Sequence, residues 1–86
     1  MNIITKSRKL IANSIVYFRL SNGWSQEKLA ELLGTSPGYI SEIENYKRNI
    51  SCDYIDKLSV LFSVEPNELL IQRAPQRNKR IKRKCV

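Results

Sequence analysis

The 86-residue chain contains no histidine, and its two cysteines, Cys52 and Cys85, stand far apart without a CxxC spacing. A structural zinc site needs four nitrogen or sulfur ligands, so no metal site and no cofactor are expected. The cysteines suit a reducing cytoplasm, with Cys52 as a small buried apolar residue and Cys85 as a free thiol. No apolar run approaches the roughly 20 residues of a membrane-spanning helix, so no membrane association is expected. The opening MNIITKSRKL carries basic residues but neither an apolar run nor a small-residue cleavage site, which argues against a secretory signal. No acid–base pair or nucleophile arrangement is visible, so the chain does not read as an enzyme. Strict alternation and internal repeats are also missing, which excludes a sheet or a solenoid.

What is present suits one domain with a modest core: 42% of the residues are hydrophobic. The net charge of +7 is unevenly placed. Residues 1–72 carry eight basic and eight acidic groups, whereas residues 73–86 carry seven basic groups and no acid. A folded domain over 1–72 followed by a flexible basic tail over 73–86 is therefore expected. The tail reads either as a solubilising end or as an arm that follows a polyanion. The body is electrically balanced, so any affinity of the body for a polyanion must come from geometry.

Helical periodicity gives five short helices and an all-α fold. The first spans Lys6 to Ser21, with Ile11, Ile15 and Phe18 inward and Asn22-Gly23 as its stop. Ser25 caps the second, whose inward stripe is Leu29, Ala30 and Leu33, with Gly34 at its end. Ser36 caps the third and Pro37 occupies its first position, where a missing N–H is no loss. Ile40 and Ile43 face inward there. A basic loop, NYKRNI, leads to a fourth helix capped by Ser51, with Cys52, Ile55, Leu58 and Phe62 on its buried face. Pro66 starts a fifth, short helix through Leu70 or Ile71.

The stretch SQEKLAELLGTSPGYISEIEN, Ser25 to Asn45, joins two helices through a turn too short for an antiparallel hairpin. Counting from Gln26, alanine at the fifth position lets the helices approach closely, and glycine at the ninth tolerates a left-handed backbone. Ile40 and Ile43, at the fifteenth and eighteenth, plug the second helix into the core. This is the spacing of a helix-turn-helix unit, whose second helix fits a major groove about 12 Å wide. Helix pairs with a glycine turn also occur in plain structural bundles.

From Ile15 to Leu70 the chain resembles the phage-repressor (Cro-like) helix-turn-helix family of small bacterial and phage regulators. The residues that carry the resemblance are Ile15, Phe18, Arg19 and Gly23, then SQEKLAELLG and YISEIEN, then Ile55, Leu58, Phe62, Val64 and PNELL. The resemblance implies a compact five-helix, lambda-repressor-like domain. It implies a sequence-specific regulator of transcription, more often a repressor, that binds double-stranded DNA as a homodimer on a palindrome. Such domains also serve as restriction–modification controllers and antitoxins, so a protein partner stands as the second reading.

Residue roles follow from the same resemblance. Arg19 and Glu44, which composition alone would leave as surface charges, would pair beneath the third helix. Ser36, Pro37, Gly38, Tyr39, Ser41 and Glu42 match its base-facing side. Ser25, Gln26, Thr35, Asn45, Tyr46, Lys47, Arg48 and Asn49 match phosphate-contacting positions. Leu61, Val64, Leu69, Leu70 and Ile71 exceed what so small a core can absorb and mark the expected dimer interface.

Four positions depart from the family. Pro37 and Gly38 stand where amide side chains are common, so direct readout falls on Ser36, Tyr39, Ser41 and Glu42, with modest discrimination expected per half-site. Tyr46 replaces a usual glycine, so either Asn45 takes the left-handed turn or the loop path differs. Ile50 replaces a common proline.

Overall fold

The computed structural model describes residues 6–72; Cys85 and the basic segment 73–86 lie outside the described residues. Four α-helices and one 3-10 helix follow in order: α1 (Lys6–Ser21), α2 (Gln26–Leu33), α3 (Pro37–Glu44), α4 (Cys52–Phe62) and the 3-10 helix Pro66–Leu70. Among the described residues there is no strand. The expected fifth helix thus exists, but as a 3-10 turn: Glu65 offers no side-chain cap, and five residues sustain only the tighter winding.

Serine starts three of the helices. The Ser25, Ser36 and Ser51 side-chain oxygens accept from the amides of Lys28, Tyr39 and Tyr54 at 3.0, 3.2 and 3.3 Å. Each bond satisfies an amide that the first helical turn would otherwise leave open.

All four α-helices end by one device, in which a left-handed residue lets its own amide and that of the next residue fold back onto the last turn. Gly23 and Gly34 take that conformation at φ 71° and 76°. Tyr46 and Ser63 take it at 67° and 59°. After α3, the Tyr46 amide reaches the Ile43 carbonyl at 3.1 Å and the Lys47 amide reaches that of Glu42 at 2.8 Å. Asn45, at φ −98°, stays right-handed, so the turn falls on Tyr46 itself.

The core gathers Ile11 and Ile15 of α1, Leu29, Ala30 and Leu33 of α2, and Ile40 and Ile43 of α3. Leu58 and Phe62 of α4 and Leu69 of the 3-10 helix complete it. Phe62 stacks on Phe18 and Trp24, with ring centroids 5.2 and 6.0 Å apart. Leu69 is fully buried and belongs to this core, not to an outer face. The 3-10 helix folds back against α1 and α4 and carries the side chain inward. Cys52 is exposed, contrary to the expectation of burial. It occupies the first position of α4, where no neighbouring element covers it.

Candidate nucleic-acid interface

α2 and α3 pack against each other, and Ala30 of α2 is 1% exposed. Gly34 ends α2 with two backbone bonds, and three residues later Pro37 begins α3. The turn thus brings α3 back against the body, with Ile40 and Ile43 buried beneath it.

The opposite side of α3 is open. Ser36, Pro37, Gly38 and Glu42 are exposed, and Tyr39 and Ser41 are half-buried. A Cβ built on Gly38 would approach nothing nearer than Ser36 Oγ at 4.0 Å, so the backbone there is accessible to a close partner.

A buried ion pair holds the far end of this helix. Glu44 is 5% exposed, and its Oε2 accepts from Arg19 Nε at 2.7 Å while Oε1 accepts from Arg19 Nη2 at 3.0 Å. Gln26 Nε2 adds a third donor to Oε1 at 2.8 Å, and Arg19 Nη1 donates to the Trp24 carbonyl at 2.9 Å. One carboxylate thus ties α1, the start of α2 and the end of α3. Three hydrogen bonds offset the cost of taking the charge from water.

The loop after α3 is fastened to α1. The Tyr46 hydroxyl donates to Asn13 Oδ1 at 2.7 Å, Arg8 Nε donates to Asn49 Oδ1 at 2.8 Å, and Arg8 Nη1 donates to the Tyr46 carbonyl at 3.3 Å. The Tyr46 phenol, expected at a phosphate, therefore points toward the body. Asn45 turns its amide back onto the Ser41 carbonyl at 2.8 Å. Lys47 and Asn49 are exposed. Arg8 and Asn13 escaped the sequence reading; an asparagine between Ile11 and Ile15 on the inward side of α1 was the available signal.

Arg48 folds back from the loop onto α3. Its Nε lies 2.7 Å from Glu42 Oε1, and its guanidinium carbon lies 5.2 Å from the Tyr39 ring centroid. The bond to Glu42 holds the guanidinium pKa above its usual range. Behind Tyr39 lies Tyr54, with ring centroids 5.3 Å apart, and Lys57 sits over Tyr54 at 5.3 Å. Burial, assisted by Tyr54 and opposed by Arg48, pushes the Tyr39 phenol upward, so it stays a neutral donor near pH 7.

Ser25 is exposed at the N-terminus of α2, Gln26 is half-buried, and Thr35 is half-buried in the turn. Leu61 and Val64 are half-buried against the core, whereas Val60, Leu70 and Ile71 are 79, 46 and 49% exposed. No helix among the described residues is long and apolar enough to cross a membrane.

A short glycine turn, a capped second helix with an open outer side and a buried pin at its end define a helix-turn-helix domain. The chain belongs to the Cro/lambda-repressor-like helix-turn-helix family of transcription regulators: the family model, described as helix-turn-helix, matches residues 15–69. It is 42% identical over 64 residues to control protein C.BamHI of Bacillus amyloliquefaciens, covering 73% of this chain and 79% of that one. It is 34% identical over 64 residues to a hypothetical transcription factor of Neisseria meningitidis serogroup B, covering 74% of this chain. The chain spans 60% of that relative's length. Among solved structures, the restriction–modification controller protein C.AhdI of Aeromonas hydrophila superposes with a TM-score of 0.66 at 34% identity. That superposition covers 72% of this chain and 90% of the controller.

Proposed function

We propose that the chain is a cytoplasmic, sequence-specific DNA-binding regulator of transcription, acting as a repressor or autoregulator. The observation that carries this reading is the open outer side of α3, held rigid from behind by the Arg19–Glu44–Gln26 cluster. A helix presented this way can enter a major groove with its N-terminal residues against base edges. Ser36, Tyr39, Ser41 and Glu42 supply the side chains, and Pro37 and Gly38 let the backbone approach. Ser25, Gln26 and Thr35 meet one phosphate run, helped by the amides and partial positive charge at the start of α2. Asn45, Lys47 and Asn49 meet another.

One domain of this size reads one half-site, so the functional unit is a homodimer on a palindrome with half-sites about 34–36 Å apart. Leu61, Val64, Leu70 and Ile71 supply the interface, together with the exposed Val60. The likeness to two controller proteins supports restriction–modification control as the setting.

Selection from random duplexes followed by footprinting tests the whole reading. An enriched inverted repeat protected on one face of the duplex is the expected result. Failure to enrich any duplex sequence overturns it.

A further inference from the structure

The outer side of α3 lacks a strong donor of its own, because Pro37 and Gly38 occupy its first positions. The structure brings one in from outside the helix. Tyr39 and Glu42 stand three residues apart on one side of α3, and Arg48 lies along that edge, bonded to the carboxylate and over the face of the ring. We propose that Arg48 is the guanine-reading residue of the half-site and that Glu42 is its positioning residue. The inference rests on the DNA-binding reading above and names the base it selects.

The argument turns on which edge of the guanidinium is engaged. Glu42 takes the Nε–H, and among the described residues neither terminal nitrogen of Arg48 donates a hydrogen bond. The Nη1/Nη2 edge is the one that meets guanine O6 and N7 end-on in a major groove. Tyr39 lies against the group from one side and is itself backed by Tyr54 across the gap to α4. Both members of the ion pair remain about half exposed, at 51% for Arg48 and 48% for Glu42, so the free edge is accessible. The arrangement also explains an acidic side chain on a surface that faces phosphates: paired with Arg48, it brings no net negative charge. Arg48 is thereby reassigned from the phosphate-contacting set to base recognition, and Glu42 from base contact to positioning Arg48.

Base substitution at every position of the selected half-site provides the test, using wild type, R48K, E42A, E42Q and E42A/R48K. Wild type is expected to prefer G·C at one position by about 5- to 150-fold, the range a bidentate arginine–guanine pair supplies. R48K keeps the charge but loses the planar fork, so that preference should fall below about threefold with the salt slope unchanged. E42A should weaken the same preference while raising affinity for an unrelated duplex. E42Q, which keeps an oxygen acceptor for Nε–H, should retain more of the preference than E42A. Adding E42A to R48K should remove nothing further.

Retention of every base preference by R48K overturns the inference, as does loss at different positions for E42A and R48K. The second result would make Glu42 a reader of its own. A wild-type protein that enriches no duplex overturns the DNA-binding reading itself, and this inference with it.

Discussion

Glu44 receives both donors of one edge of the Arg19 guanidinium, Nε on one carboxylate oxygen at 2.7 Å and Nη2 on the other at 3.0 Å. The two residues come from the last turns of α3 and α1, and their side chains are only 6 and 12% exposed. Replacing either by alanine strands the other charge in the interior, at an expected cost of about 3–5 kcal/mol. That is a large share of the roughly 5–15 kcal/mol typical of a whole domain. Urea unfolding of Arg19→Ala and Glu44→Ala measures the loss. A value under about 1 kcal/mol for both would class the pair with solvated surface bridges.

The two non-glycine left-handed residues should respond oppositely to the same substitution. Ser63 is exposed and its hydroxyl makes no hydrogen bond within the described residues, so Ser63→Gly should relieve the backbone and raise stability by about 0.5–1 kcal/mol. Tyr46→Gly relieves a similar strain but deprives the buried Asn13 oxygen of its donor, which costs about 1–3 kcal/mol. A net loss is expected there, and Tyr46→Phe should isolate the hydroxyl's share. Equal gains from both glycine variants in parallel thermal melts would show that the phenol contributes nothing.

Leu69 and Val60 separate the core from the outer surface. Leu69→Ala should cost about 2–5 kcal/mol, because a fully buried side chain is removed. Val60 and Val64 border a shallow cleft with Pro66 and Glu68, and Val60 is mostly exposed. Val60→Asp should therefore leave the fold intact while sedimentation equilibrium shifts toward the monomer. An unchanged association constant for Val60→Asp combined with Ile71→Asp would exclude this surface as the interface.

The helix boundaries were legible because their signals are local. Ser25, Ser36 and Ser51 cap the helices they precede, and Pro37 and Gly34 punctuate the turn between them. Burial was less legible, since it requires a covering neighbour as well as a suitable face. Cys52 continues the apolar spacing of α4 yet lies at its first position and stays in solvent. Leu69 looked surplus because the count of apolar residues does not reveal that the 3-10 helix closes over α1. At Tyr46 the sequence left two alternatives, and the structure shows a third, because an inward hydrogen bond to Asn13 lies 33 residues away in the chain. Long-range polar pairs such as Arg8 with Asn49 leave no periodic trace at all.

The serine–proline start of α3 and the Glu44 anchor at its far end secure both extremities of the same eight-residue rod. Its orientation is consequently settled during folding, before any ligand arrives. Docking then demands little reorganisation of the backbone, and the entropy that a floppy segment would surrender on capture is largely spared. Preorganisation of this kind suits a short, donor-poor helix to the recognition role proposed for it.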